Sequence, residues 1–278
     1  MPSTSSALRE LLAVDRLDAL DSRDTPGHEG GKSAAKDEMS ALGAALADEQ
    51  EKLYALGTQD DPRSLLLVLQ GMDTSGKGGV IKHVAGLVDP LGLQIASFKK
   101  PTPEELEHDF LWRVAKRLPT PGHVGVFDRS HYEDVLIGRV RQLAPAAEIE
   151  RRYDAINAFE REYVAAGGTV VKCLLHIDRE DQADRLAARL DDPTKHWKFN
   201  PGDIDERALW DDYQEAYQVV LDRCSTPEAP WFVVPSGRKW YRNWAVATLL
   251  LEHLQALDLD WPPADFDVEE QRARLAAT

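Results

Sequence analysis

The chain has 278 residues, 43% hydrophobic and 29% charged, enough for one large α/β domain or two small domains with a real core. A net charge of −15 argues against a nucleic-acid binder, and no apolar run approaches the ~20 residues needed to span a bilayer. Cys173 and Cys224 alone give no disulfide framework or zinc spacing, and the charge-broken first thirty residues lack a signal-peptide core, so the cytoplasm is the expected compartment. Exposed charges are screened beyond ~8 Å at physiological salt, so an acidic total does not forbid a local basic groove.

In chain order, residues 1–30 include "DTPGHEG" and read as a poorly regular arm. From Lys32 to Leu56 the chain is rich in Ala, Leu, Glu and Lys, with Leu42, Leu46, Leu53 and Leu56 at helical spacing. Residues 1–60 are therefore expected to be an arm and a helix packed on the core. Five short apolar runs follow: "SLLLVLQ" (64–70), "LQIASF" (93–98), "HVGVFD" (123–128), "TVVKCLLHI" (169–177) and "PWFVVP" (230–235). Their continuity suits strands buried on both faces. The segments between them have helical spacing, as in "PEELEHDFLWRVAKRL", where Leu106, Phe110, Val114 and Leu118 recur at i+4. Strands alternating with helices predict a mainly parallel five-stranded sheet in a three-layer α/β/α arrangement over 61–265. Residues 178–213 break the pattern, being dense in charge and punctuated by Pro193 and Pro201, and read as a helical lid over the strand ends, at about 179–213. Residues 266–278 form a C-terminal tail.

Gly71, Gly76 and Lys77 in "GMDTSGKGG" match G-x-x-x-x-G-K between a strand and a helix. Backbone N–H groups of such a loop, with the following helix N-terminus, point at an anion, and the lysine adds a mobile positive charge. Gly71, Thr74, Ser75, Gly76 and Gly78 are the candidate phosphate binders of the loop. Gly78 stands where Ser or Thr usually helps hold Mg²⁺. Asp73, inside the loop, would repel a bare phosphate but accept a bridging metal ion; its plainer reading is a turn residue satisfying local donors.

Asp128 ends the third apolar run and Arg129 and Ser130 follow it. The acid can face a metal or the attacking oxygen, and the arginine fork suits a phosphate. Two motifs then share one sheet edge, where open α/β sheets bind ligands. In the lid, Arg179, Arg185, Arg189, Lys195 and Lys198 are mostly expected to be solvated. Arg189 and Lys195 are singled out because Pro193 fixes the turn between them, and an arriving arginine can stabilise charge in phosphoryl transfer. No Asn-Lys-x-Asp stretch exists for reading guanine in a GTPase. The residues alone point to a kinase with a phosphate loop and lid. An ATP-dependent nucleoside monophosphate kinase of the thymidylate-kinase type and a non-catalytic phosphate-binding regulator are the alternatives.

"GMDTSGKGG", "FDRSHYEDVL", "RLAARLDDPTKHWKFNPGD" and "WFVVPSGRKWYRNW" resemble the polyphosphate kinase 2 family in order and spacing, over roughly residues 20–260. The resemblance implies a thymidylate-kinase-like P-loop core and phosphoryl transfer between inorganic polyphosphate and a nucleoside mono- or diphosphate. It implies Mg²⁺, with Mn²⁺ as a substitute, held by Asp73 and Asp128, and a homodimer or homotetramer, with no nucleic-acid or membrane partner. It assigns catalytic roles to Asp73, Lys77, Asp128, Arg129 and Arg189. Lys82, Lys195 and Lys198 join the candidate phosphate binders, and Lys82, Lys99, Lys100, Arg113, Lys116 and Arg117 either line a polymer track or are ordinary surface basics. Many relatives carry Asn where Glu133 stands here. The "SHYEDVL" subgroup accepts AMP and ADP, so Glu133 is the candidate nucleotide selector, with ADP to ATP the expected main reaction and AMP to ADP beside it.

Overall fold

The computed structural model describes residues 7–278. Its five strands are β1 (Ser64–Gln70), β2 (Leu93–Ser97), β3 (Val124–Asp128), β4 (Gly168–His176) and β5 (Trp231–Pro235). All pair in parallel, in the order β2-β3-β1-β4-β5. Each lies within a residue of its apolar run; β1, β3, β4 and β5 are buried nearly throughout, whereas β2, at the sheet edge, has no buried residue, against the expectation of burial on both faces.

The period of two sorts β1 between two cores. Leu65, Leu67 and Leu69 face helices Lys32–Gly57 and Lys239–Gln255, whereas Leu66 and Val68 face helices Ala146–Ala165 and Trp210–Cys224. The result is the three-layer α/β/α sandwich. β2 and β3 lie on one side of β1 and β4 and β5 on the other, and the helix after β1 (Lys77–His83) packs into the first core while the helix Ala146–Ala165 after β3 packs into the second, so the chain leaves these neighbouring strands toward opposite faces. That switch point opens a crevice at the carboxyl ends of these two strands.

Three local expectations change. The described part of the arm, from residue 7, is more ordered than its composition suggested. It forms a short helix, Leu8–Leu12, that buries Leu8 and Leu12 in the core, and a 3₁₀ turn, Leu17–Ala19, that buries Leu17. The rest of the arm, residues 1–6, lies outside the described residues. The helix read across Leu106–Leu118 is broken into Pro103–Leu106 and Trp112–Ala115. A Thr102/Glu105 capping box starts the first turn, and the Asp109 carboxylate accepts from Leu111 N (3.0 Å), restarting the chain after a gap. Within the tail, Val268–Ala276 is an exposed helix capped by Asp267.

Candidate active site

The chain leaves β1 through Gly71 at φ +143°, where a Cβ would lie 2.6 Å from Leu175 O. Only glycine fits there. The loop ends at Gly76, φ +114°, and enters helix Lys77–His83. Thr74 is held at φ +67°, rare for a β-branched residue. The Thr74 and Ser75 hydroxyls are buried and find no hydrogen-bond partner among the described residues. Lys77 is buried and curls back to donate to Gly71 O (2.6 Å) and Met72 O (3.4 Å). Burial lowers its ammonium pKa, against the pull of Asp73.

β3 runs beside β1 with Asp128 in register with Leu69. The next residue, Arg129, takes φ +62°, and its N–H donates to Leu69 O (3.1 Å). Its guanidinium then reaches across and donates to Asp73 Oδ1 (2.9 Å). Burial alone would lower Arg129, but Glu133, Asp73 and Asp128 outweigh it and hold it above its ordinary value. Gln70 braces the turn: its amide donates to Glu133 Oε1 (3.0 Å) and accepts from Ser130 N (3.2 Å) and Ser130 Oγ (3.1 Å). Burial pushes Glu133 up, partly offset by Arg129 and Lys77.

A buried ionic cluster holds this turn from behind. Glu160 accepts from His131 Nε2 (3.1 Å), Tyr132 Oη (2.9 Å) and Lys172 Nζ (2.6 Å), and Lys172 also donates to Cys224 O (2.7 Å). Burial would raise Glu160, but Lys172 and His131 prevail and keep it below the usual carboxylate range.

The segment expected to be a lid comprises helix Arg179–Leu190, a 3₁₀ stretch Pro193–Lys198, helix Gly202–Arg207 and the start of helix Trp210–Cys224. Arg185, expected to be solvated, instead donates to Thr74 O (3.0 Å), Ser75 O (3.3 Å), Ser236 O (2.6 Å) and Gly237 O (3.0 Å). Arg189 points to the other side, donating to Lys198 O (3.0 Å) and Asp203 Oδ2 (3.3 Å). Lys195 pairs with Asp192 (2.7 Å), and Lys198 lies over the exposed Trp197 ring (4.9 Å). Lys82 is exposed on the last turn of the loop helix.

Between loop and lid lies a cavity of about 220 Å³ lined by Asp73, Arg129, Glu133, Asp203, Glu206 and Tyr213, among others. Asp203 is pushed up by burial and by Asp73, with Arg189 opposing. Lys99, Lys100, Arg113 and Arg117 share a separate cleft with Glu105. There Arg113 is committed to Lys99 O (2.8 Å) and lies near Glu105 (3.5 Å), and Lys116 lies over Trp112 (3.3 Å). Sequence reasoning named Arg185 only as a solvated residue, which its four carbonyl contacts correct, and did not name Asp203 or Arg242. The signal for Arg242 was its place in "GRKWYRNW", a motif given no role.

Asp73 Oδ2 and both carboxylate oxygens of Asp128 receive no hydrogen bond from the described residues. No group of three or more His, Cys, Asp or Glu among them could hold a metal. The Asp128 carboxylate and the spare Oδ2 of the Arg129-paired Asp73, beside the glycine loop, fit Mg²⁺, which takes one or two carboxylates and completes its shell with phosphate oxygens and water. No helix among the described residues is long and apolar enough to cross a membrane.

A glycine-rich loop after the first strand and an acid–arginine turn on its neighbour, with a charged helical segment that brings Arg185 and Arg189 beside them, form the kind of site found in α/β proteins that handle phosphate. The chain belongs to the polyphosphate kinase 2 family, matching it over residues 30–261. It is 45% identical to the AMP/ADP-polyphosphate phosphotransferase of Meiothermus ruber over 88% of this chain and 91% of that one. An ADP-polyphosphate phosphotransferase of Rhodopseudomonas palustris is 39% identical over 78% of each chain. The crystal structure of polyphosphate kinase 2 from Arthrobacter aurescens TC1 matches with a TM-score of 0.96 at 52% identity, covering 99% of this chain and 98% of that one.

Proposed function

We propose that the protein transfers the terminal phosphoryl group of inorganic polyphosphate to adenine nucleotides, chiefly ADP to ATP and also AMP to ADP. The observation that carries this reading is the Asp73–Arg129 pair (2.9 Å) beside Lys77. It sets an acid and two cations at one strand edge. The names of the Meiothermus and Rhodopseudomonas relatives support the donor and the acceptors.

In the forward step, an anionic oxygen on the nucleotide's last phosphate attacks the polymer's terminal phosphorus. A new P–O bond forms, the bridging P–O bond to the next phosphate breaks, and its electron pair leaves on the shortened chain. The acceptor is already an oxyanion, so no residue need remove a proton. Lys77 and Arg129 offset negative charge on the transferring group, and the loop N–H groups orient it. Asp73 and Asp128 would hold Mg²⁺, which when bound neutralises phosphate oxygens. Glu133 stands where it can touch the acceptor. Arg189, which contacts Asp203, would exchange that carboxylate for the transferring phosphate, and closure of the 179–213 segment would exclude water that would otherwise take the phosphoryl group. Homodimeric or homotetrameric assembly is part of the proposal and is read directly by light scattering after gel filtration.

The test is ATP production from ADP, Mg²⁺ and polyphosphate, beside Lys77→Ala and a control lacking polymer. Polymer-dependent ATP that vanishes in the variant is the expected result. ATP formed without polymer would instead indicate disproportionation of ADP and overturn the choice of donor.

A further inference from the structure

The N-terminal arm is tied to the start of helix Arg179–Leu190. Asp21 and Asp24 fold the arm into a turn: Arg23 N donates to Asp21 Oδ1 (2.8 Å) and Asp21 N to Asp24 Oδ2 (2.9 Å). The turn sets Arg23 Nη2 against Asp181 Oδ1 (2.6 Å). The buried Ser22 hydroxyl, with one proton to give, lies 2.9 Å from Asp178 Oδ2 and 3.2 Å from Asp181 Oδ2. Asp178 is also the cap of the helix, accepting from Asp181 N (2.6 Å). Gly237 N donates to Ser22 O (2.7 Å). A Cβ at Gly237 would lie 2.6 Å from Asp181 Oδ2 and 2.8 Å from both Arg23 Cγ and Ser22 O, so arm, helix and the turn after β5 meet where glycine alone leaves room.

One turn along the same helix stands Arg185. Asp181 and Arg185 have the i, i+4 spacing and the acid-before-base order at which such a pair ordinarily closes. They form no ion pair with each other among the described residues; Asp181 pairs instead with Arg23, 158 positions away in the chain. The Asp181 side chain is 7% exposed, so it needs a donor, and the arm supplies one. Burial lowers Arg185, with Asp181 and Asp178 opposing, so the two carboxylates pull on its guanidinium without holding it. Left free of them, Arg185 spans from Ser236 O and Gly237 O to Thr74 O and Ser75 O of the phosphate loop. Across a trans peptide the C=O and N–H point in opposite directions. With Ser75 O taken by Arg185 (3.3 Å) and Arg242 (3.4 Å), the Gly76 N–H is turned the other way, and it donates to no atom among the described residues. A free N–H in such a loop is a donor for a phosphate oxygen.

We propose that Arg23 is a positioning residue of the active site: by occupying Asp181 it keeps Arg185 on the loop carbonyls, and so keeps the Gly76 N–H aimed at the transferring phosphate. The arm is then a working part of the site. Without Arg23, Asp181 takes Arg185 as its nearest cation, and the Thr74 and Ser75 carbonyls lose their shared donor. The catalytic consequence rests on the phosphoryl-transfer reading above, whereas the coupling of arm to loop is a property of the chain alone.

The experiment compares the full chain with Arg23→Ala, Arg23→Lys, Asp181→Asn and the double variant Arg23→Ala/Asp181→Asn. Two readouts are taken: ATP production from ADP, Mg²⁺ and polyphosphate, and amide hydrogen exchange over residues 71–79 without substrate. Arg23→Ala should lower kcat about tenfold, the scale of one charged hydrogen bond withdrawn from the transition state, and move each KM by less than about threefold. Arg23→Lys keeps the charge and should keep most of kcat. In the Asp181→Asn background no carboxylate is left at that position to capture Arg185, so removing Arg23 should cost less than about twofold. Exchange over 71–79 should quicken in Arg23→Ala, and the double variant should match Asp181→Asn. An Arg23 that only braced the arm would cost the same in both backgrounds, and that result overturns the proposal. Wild-type kcat and wild-type exchange in Arg23→Ala overturn it as well. A wild-type chain that made no ATP from polyphosphate would strike the functional reading, and the exchange data would still decide whether the arm sets the loop.

Discussion

Replacing Lys172 by methionine strands a carboxylate. Lys172 and Glu160 are 0% and 3% exposed at their side chains, and their charged atoms lie 2.6 Å apart. Methionine fills a similar volume, so little of the effect comes from a cavity. Glu160 keeps His131 and Tyr132 as donors but loses the charge that balanced it. Removing one partner of a buried pair costs about 3–5 kcal/mol. At about 2–4 °C per kcal/mol for a chain of this size, the fall in Tm is on the order of 10 °C. The sign with pH follows from Glu160. Its folded pKa is depressed in the wild type, so it contributes stability above its ordinary value, and that contribution is lost as pH falls through the folded value. In the variant, burial acts with less opposition, Glu160 takes up a proton more readily, and the penalty shrinks on acidification. Thermal unfolding of both proteins from pH 7.5 to pH 5 checks this. A loss below about 3 °C at pH 7.5, or a loss that does not vary with pH, would refute the stranded carboxylate.

Glu133→Gln works in the opposite sense. Burial raises the folded pKa of Glu133, so wild-type stability declines as pH rises from the ordinary carboxylate value through the raised one, while the amide has no such slope. The Tm of Glu133→Gln minus that of the wild type should therefore grow between pH 4 and pH 7, and a flat difference would contradict it. Neighbouring glycines should respond differently to alanine. At Gly78 a Cβ meets nothing within 4 Å, so Gly78→Ala should stabilise by about 0.5–1 kcal/mol through helix propensity. Gly79→Ala should forgo that gain, because its Cβ meets Arg242, and urea unfolding separates the two. Arg185→Ala should lower Tm and speed proteolysis within 179–213, whereas Arg189→Ala should lower Tm by less, because it gives up Lys198 O and one 3.3 Å contact to the largely buried Asp203 rather than four carbonyls on two loops.

The sheet was legible because parallel strands buried on both faces leave continuous apolar runs, as in β1, β3, β4 and β5; the edge strand β2 is only partly covered, with Ile95 52% exposed. The glycine loop after β1 and the turn after β3 were legible as local structure, because Gly71 and Gly76 take positive φ and the turn follows directly on the apolar run that ends at Asp128. Side-chain partners were not. Arg185 and Arg189 are one helical turn apart, and nothing local says that one meets four carbonyls of the loop region while the other meets Asp203. The 106–118 helix failed for a related reason: side-chain hydrogen bonds from Thr102 and Asp109 compete with the helical ladder, and periodicity does not register them. Lys172 interrupts the apolar run of β4, but its partners lie 12, 40 and 52 residues away and only the fold brings them together.

The two lid arginines also imply where the lid bends. Arg185 ties the first lid helix to the carbonyls of Thr74, Ser75, Ser236 and Gly237, and Gln182 donates to Asp73 O (3.3 Å). A side chain held by four acceptors on two separate loops is not free to travel. Everything up to that point belongs to the fixed wall of the site. Beyond Leu190 the 3₁₀ stretch Pro193–Lys198 has no buried residue, and Trp197 is 79% exposed. Few buried contacts mean a low local cost of opening. In the closure proposed above, the pivot would fall near Asp191 and Asp192, carrying Lys195 and Lys198 toward the loop. Arg189, at the edge of the fixed part, would need only to exchange Asp203 for a phosphate oxygen. That exchange replaces one charged partner by another, so substrate arrival can drive it without first breaking the fold that holds Arg185.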